Sequence, residues 1–141
     1  MSTEKFNIDE KELHKAKTLS SGDARIEVSR DGTLSHVFVP TDVFGYLSWS
    51  ALDGAVESVR IYYGSDLKAG PHHRKAPLLN VTYRDADGHS YHQPVLGDLT
   101  VLVDRPESGT TFKHIGKLTN VTFESDGGTV TLNGNYTVES D

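Results

Sequence analysis

The chain has 141 residues and a formal net charge of -6, from 20 acidic residues against 14 lysines and arginines. It contains no cysteine, which excludes disulfides, thiolate metal sites and cysteine nucleophiles. Because phosphate binding begins with a basic surface, the acidic balance argues against nucleic acid as the main partner. No apolar run approaches the ~18 residues that cross a bilayer, so we expect no membrane span. The charged N-terminus lacks a signal-peptide core, and we expect a cytoplasmic or otherwise intracellular protein unless a leader has been removed.

Residues 1–23 are the least strand-like part of the chain. Asp9 can cap a helix, with Glu12 three residues later as its capping-box partner. Three apolar residues then follow at helical spacing, namely Leu13, Ala16 and Leu19. A loosely docked arm would suit the same residues. We therefore predict an N-terminal arm or short helix over residues 1–23 and a single β domain over residues 24–141.

From residue 24 onward, short runs alternate between apolar and polar residues, as β-strands do. In the first run Ile26, Val28 and Arg30 share one face. The longest break, Ser65–Pro77, is predicted to be a loop because it holds several Gly and Pro residues. Gly accepts the positive φ that tight hairpin turns require. We expect such turns at Asp31-Gly32, Asp53-Gly54, Asp87-Gly88, Asp126-Gly127 and Asn133-Gly134.

These turns separate about nine or ten short strands, with no crossover helix between them. The pattern predicts an all-β fold with antiparallel sheets, either a β-sandwich of Greek-key type or a closed barrel. A loop is expected at Thr41–Phe44, followed by a strand at Gly45–Trp49. The last four strands are expected at Thr111–Ile115, Leu118–Phe123, Thr129–Leu132 and Tyr136–Val138. The predicted core consists of Ile26, Val28, Val37, Val39, Trp49, Val59, Ile61, Val81, Leu99, Val101, Val121 and Leu132.

Four of the seven histidines lie close together in the sequence, at His72, His73, His89 and His92. Imidazoles bind zinc, copper or nickel. However, His89 and His92 are three residues apart, so on one strand they face opposite ways. No carboxylate stands at a ligand-like spacing, and we expect no metal site here. The run Asp85–Gly88 is similar to the start of a calcium loop, but it lacks the further ligands of an EF-hand and is predicted to be a plain turn.

The sequence shows no motif for catalysis. It has no Gly-x-Ser-x-Gly elbow, no phosphate-cradling glycine loop and no cysteine nucleophile. We therefore predict no catalytic residues, no enzymatic activity and no cofactor other than a weakly bound calcium ion.

Residues 24–64 resemble one βγ-crystallin Greek-key unit. Gly32 stands near the tip of a hairpin, Tyr46 lies in a following strand, and Leu52–Ile61 resembles the end of the unit. The resemblance implies a calcium position at Asp53 and Ser58. The family's calcium motif has two Asp or Asn residues followed by two Ser or Thr residues, but here Gly54 and Glu57 occupy the two inner places. Weak calcium binding or none is therefore expected. The aromatic corner usual in that family is also missing.

The resemblance and the absence of catalytic motifs together suggest a structural or storage-type protein. The alternative is a carbohydrate-binding, lectin-like module, because sugar sites use exposed aromatic faces with a few directed polar groups. Its candidate ligand-binding residues are Tyr62, Tyr83, Tyr91, His89 and His92. Open strands at a sheet edge can pair with the same strands of a second copy of the chain, so a homodimer is a further candidate assembly.

Overall fold

The computed structural model describes residues 9–106 and 108–140. The first eight residues of the predicted N-terminal arm lie outside this range. One helix and eleven strands follow in chain order: α1 Glu10–Leu19, β1 Ser20–Arg30, β2 Thr33–Phe38, β3 Asp42–Tyr46, β4 Trp49–Asp53, β5 Ser58–Tyr62, β6 Gly70–Lys75, β7 Asn80–Arg84, β8 Ser90–His92, β9 Leu96–Asp104, β10 Lys113–Ser125 and β11 Gly128–Ser140.

The strands form two sheets that pack face to face. The six-stranded sheet has the order β2-β1-β11-β10-β9-β6, and the five-stranded sheet has the order β3-β4-β5-β7-β8. All the neighbouring pairs are antiparallel. The fold is therefore an all-β antiparallel sandwich with a short N-terminal helix, as the alternation predicted. Of the two predicted architectures, the sandwich is the one formed.

The helix begins where the sequence places its cap. The Asp9 side chain accepts a hydrogen bond from the Glu12 amide at 2.8 Å, which satisfies a donor that the first turn leaves unpaired. At the other end, Ser20 Oγ accepts a hydrogen bond from the Gly45 amide at 3.0 Å and so ties the helix end to β3. Because β1 begins at Ser20, the residues up to Asp23 belong to the sheet and not to an arm.

The main core lies between the sheets, and a smaller one lies under α1. In the smaller core Ala16 packs with Phe44, Trp49 and Ala51 on the outer face of the five-stranded sheet. All the predicted core residues are buried except Val37 and Val39.

The prediction for Val37 and Val39 is wrong by one residue of register. A bulge after Val28 shifts the pairing of β1 with β2, so that Ile26 stands opposite Phe38. Cross-strand partners share a face, and therefore Phe38 is buried while Val37 faces the other side. Val39 lies beyond the end of β2 and is 64% exposed.

Several strand boundaries also differ from the prediction. The expected loop at Thr41–Phe44 is mostly β3, and the chain turns before β4 begins at Trp49. The expected long loop contains β6, which lies at the edge of its sheet. An edge strand tolerates Pro71 because it needs fewer ladder hydrogen bonds than a central strand, and this weakens the sequence signal for a strand.

The last four predicted strands are in fact two long ones, β10 and β11, so the turn predicted at Asn133-Gly134 is wrong. Gly134 lies in the middle of β11, opposite Ile26 and Leu118. A Cβ atom there would lie 2.1 Å from the Arg25 carbonyl oxygen. The glycine allows close approach of two backbones rather than a reversal of the chain.

Gly116 makes room for a buried tyrosine. It stands opposite Tyr136 in the β10–β11 pair, and a Cβ atom at Gly116 would lie 2.1 Å from Tyr136 Cζ. The Tyr136 hydroxyl is 2.7 Å from the Tyr63 hydroxyl, which is in turn 2.7 Å from Ser50 Oγ. This buried chain of hydroxyl groups joins the two sheets, because Tyr136 is on β11 while Ser50 is on β4.

We predict that Gly116→Ala destabilises the protein by about 1–3 kcal/mol, because the added methyl group overpacks the Tyr136 ring. Urea unfolding measures the change. In the double variant with Tyr136→Leu, which opens space at the same point, the two effects should not add. Simple additivity of the two single changes would contradict this contact as the cause.

Candidate functional site

A group of charged and aromatic side chains bridges the two sheets near one end. Arg30 is the last residue of β1 and continues the inward-facing row of Ile26 and Val28, as the alternation predicted. Its Nη2 donates to Asp85 Oδ2 at 3.2 Å, and its Nη1 donates to the Tyr91 hydroxyl at 3.4 Å. Arg30 belongs to the six-stranded sheet, while Asp85 and Tyr91 belong to the five-stranded side, so this ion pair crosses the sandwich.

Asp85 is buried at the start of the β7–β8 turn, with 2% exposure. Its Oδ1 accepts hydrogen bonds from the Asp87 and His89 amides, each at 2.9 Å, and its Oδ2 accepts one from Tyr91 at 3.0 Å. Burial by itself raises the pKa of the Asp85 carboxyl, but these hydrogen bonds and the one from Arg30 outweigh it and lower the pKa overall. The hydrogen bond to Tyr91 leads the causes that raise the pKa of Arg30.

Glu57 forms the second half of this group. It lies between β4 and β5, and its Oε2 accepts a hydrogen bond from the Tyr83 hydroxyl and lies 2.6 Å from His36 Nε2. Tyr83 also stacks on Tyr91, with 5.7 Å between ring centroids. Burial and the hydrogen bond to Glu57 raise the pKa of Tyr83. We call these residues the inter-sheet charge cluster: Arg30, His36, Glu57, Tyr83, Asp85 and Tyr91.

The chemistry of this cluster is that of a satisfied network. Both oxygens of the Asp85 carboxylate accept hydrogen bonds from the protein itself. Among the described residues, the one group of three or more ligand-type side chains with atoms within 4.8 Å of one another is Asp85, Asp87 and His89. A metal ion at this point would have to displace the Arg30 and Tyr91 donors from Asp85. The geometry therefore suits a cross-link between sheets better than a base or a metal ligand.

The five residues predicted to bind a ligand do not form one site. Tyr83 and Tyr91 lie between the sheets, and His89 is exposed on the β7–β8 turn. Tyr62 and His92 lie on the opposite, outer face of the five-stranded sheet. The reason is the two-residue period of a strand, which sends Tyr62 outward while Val59, the partner of Tyr83, faces inward.

Asp53 and Ser58, the predicted calcium position, stand directly opposite each other on β4 and β5. The Asp53 carboxylate accepts two hydrogen bonds from Arg60, from Nε at 3.0 Å and from Nη2 at 2.7 Å. A calcium ion would compete with the guanidinium for the same two oxygens. Weak or absent calcium binding at Asp53 stays a prediction.

The four clustered histidines are divided between the two sheets. His72 and His73 lie on β6. The Nε2 atom of His72 is 2.6 Å from the Lys68 carbonyl oxygen, and the Nε2 atom of His73 is 2.8 Å from Asp98 Oδ1. His92 lies on β8, where its Nδ1 is 3.2 Å from Thr82 Oγ1. Proximity in the sequence does not bring these side chains together because β6 and β8 are edge strands of different sheets.

His114 is the most unusual histidine of the described residues, although no sequence motif marks it. It is fully buried on β10 and packs against Phe112 and Tyr63, with ring centroids 4.7 Å and 5.3 Å away. Neither ring nitrogen has a hydrogen-bond partner among the described residues. Burial, together with the positive charges of His72 and Arg105, lowers the pKa of His114 from 6.5 to about 4. The imidazole is therefore neutral at pH 7.

The chain matches no protein-family model, and no curated protein or solved structure gives a significant match. Among the described residues, no helix has the length and apolar character needed to cross a membrane.

We predict that Asp85→Asn lowers the free energy of unfolding by about 2 kcal/mol, because it removes the negative charge of the carboxylate that accepts hydrogen bonds from Arg30 and Tyr91. Urea unfolding at neutral pH measures this loss. Asp87→Asn is the matched control, since Asp87 lies exposed on the same turn and should change stability by less than about 0.5 kcal/mol. Equal losses in the two variants would contradict a structural role for the Asp85 carboxylate.

We predict that stability falls as the pH drops from 6.5 towards 4. In that window the unfolded chain binds a proton at His114 and the folded chain does not, so the unfolded state is favoured by up to about 3 kcal/mol. The lowered pKa of Asp85 acts later, since its contribution is lost only below pH 3.8.

The measurement is urea unfolding across this pH range for the wild type and for His114→Phe. The wild type should lose more stability than the variant between pH 6.5 and pH 4. Identical pH profiles for the two proteins would show that His114 is not the group responsible.

Proposed function

We propose that this protein is a non-catalytic β-sandwich with a structural or storage-type role. The observation that carries the proposal is the saturation of the buried carboxylate of Asp85 by donors from both sheets. A catalytic acid or base needs an open position toward a substrate. The polar groups of the inter-sheet charge cluster are instead arranged to bond to each other.

Two further features support a structural role. The two sheets are joined a second time by the buried hydroxyl groups of Ser50, Tyr63 and Tyr136. The net charge of -6 favours solubility at high concentration. The resemblance of residues 24–64 to a βγ-crystallin unit is part of the same proposal. That segment contains most of β1 and all of β2 to β5, and it contributes strands to both sheets.

Carbohydrate binding is the second candidate, and the outer face of the five-stranded sheet favours it. Tyr62 is half-buried there, packed against the smaller core that contains Trp49. The next row across the sheet carries Arg60, Thr82 and His92. A tyrosine ring beside directed polar groups is the combination that sugar recognition uses. Trp49 itself is covered by α1 and cannot offer a stacking surface.

One pair of measurements distinguishes the two functions. A structural protein should stay monodisperse at high concentration in light scattering, which also reports whether it is a homodimer, and it should be silent on a glycan array. A carbohydrate-binding protein should give a glycan signal that Tyr62→Ala removes and that Tyr62→Phe retains, because stacking needs only the ring.

Turnover of a substrate that a single side-chain substitution abolishes would overturn the non-catalytic proposal. Aggregation of the folded wild type at high concentration would contradict a storage role. A glycan signal unchanged in Tyr62→Ala would exclude this face of the sheet as the sugar site.

A further inference from the structure

A groove runs between α1, β3 and the segment that precedes β10, away from the inter-sheet charge cluster. It encloses a cavity of about 380 Å³. This volume lies within the ~300–1,000 Å³ of small-molecule sites. We call it the helix groove, and its main lining side chains are Glu12, Lys15, Ala16, Leu19, Tyr46 and Phe112.

The floor of the helix groove is apolar and firmly held. Phe112 is 5% exposed, and its amide donates to Ser140 Oγ at 2.9 Å. The Tyr46 ring meets the Phe112 ring edge-on, with 6.2 Å between centroids. Leu19 and Tyr46 are left 53% and 37% exposed. A ligand that covers these two side chains would remove apolar surface from water, which is favourable.

The rim of the groove carries one charge of each sign. Glu12 and Lys15 are three residues apart on α1, so their Cβ atoms lie roughly 5–6 Å apart on one helix face. Neither side chain forms an ion pair with any described residue, whereas Lys17 on the same helix pairs with Asp42 at 3.4 Å. The rim therefore offers a carboxylate and an ammonium group side by side.

These charges restrict the chemistry of the ligand. A simple anion bound to Lys15 would lie close to the like charge of Glu12, and a simple cation bound to Glu12 would lie close to Lys15. Repulsion between the like charges lowers the affinity for a simple anion and for a simple cation, so the pair of side chains selects against both. A zwitterion whose two charges are separated by one carbon atom satisfies both side chains. The apolar floor requires that the same molecule carry a large apolar group.

We propose that the helix groove binds a free α-amino acid with a large apolar side chain. The ligand's carboxylate pairs with Lys15, its ammonium group pairs with Glu12, and its side chain covers Leu19, Tyr46 and Phe112. The Phe112–Tyr46 corner favours an aromatic side chain, because aromatic rings gain from edge-to-face contacts. This binding is independent of the structural role proposed above, since the groove shares no residue with the inter-sheet charge cluster.

The test is a titration of the full-length protein with L-phenylalanine, followed by calorimetry and by NMR shifts of the backbone amides. We expect a dissociation constant on the order of 1 mM, as suits a ligand of this size. We expect 3-phenylpropionate and 2-phenylethylamine, which each lack one of the two charges, to bind about tenfold more weakly or worse.

Variants assign the contacts. Lys15→Gln and Glu12→Gln should each weaken L-phenylalanine binding about tenfold, while Lys11→Gln and Glu10→Gln on the same helix should not change it. Glu12→Gln leaves the helix cap intact because Asp9 bonds to the backbone amide of residue 12. Leu19→Glu should abolish binding, and its matched control is Leu34→Glu, at a similarly exposed leucine outside the groove.

Saturable binding with shifts confined to the groove, lost in the groove variants alone, supports the proposal. No saturation by L-phenylalanine overturns it, and so does equal affinity for 3-phenylpropionate. Equal losses in the control variants would also overturn it. Circular dichroism of each variant verifies the fold, and a groove variant that fails to fold is replaced by Lys15→Ala or Glu12→Ala, which are judged by the same criteria.

Discussion

The packing of the two sheets depends on polar side chains that must find partners inside the sandwich. A buried polar group costs free energy unless it is hydrogen-bonded. The hydroxyl groups of Tyr63 and Tyr136 meet this requirement by bonding to each other across the gap, with 2.7 Å between them. The Tyr136 ring reaches that point only because Gly116, its partner on β10, has no side chain. The position of one sheet over the other is thus fixed by a directional contact as well as by apolar burial.

The polar side chains of the inter-sheet charge cluster meet the same requirement near the C-terminal end of β1. Arg30 and Asp85 neutralise each other across the sandwich, and Tyr91 bonds to both. His114 is the exception, because its ring is buried among aromatic side chains without a hydrogen-bond partner in the described part of the chain. The protein tolerates it by keeping the imidazole neutral. The polar groups of the interior are therefore arranged for stability near neutral pH. Ligand binding is expected at the surface of the protein and not in this interior.

Much of the fold could be predicted from local pattern, but the site could not. The Asp9 cap, the hairpin at Asp31-Gly32 and the inward face of Ile26 all follow from short-range physics. The sequence places Tyr83 and Tyr91 among candidate sugar-binding residues and Glu57 beside a candidate calcium position. No local signal joins these residues to each other or to His36. His36 turned inward only because a bulge in the β1–β2 pairing changed the register.

The sequence by itself determined the fold class, the antiparallel pairing and most of the core, because the two-residue period of a strand and the chemistry of Gly turns act between near neighbours. Only the tertiary structure decided that β6 is a strand, that Gly134 lies within one, and that Arg30 meets Asp85 from 55 residues away. Each of these depends on which strand lies beside or across from another. That choice is made by the packing of two whole sheets, and no local stretch of the sequence contains it.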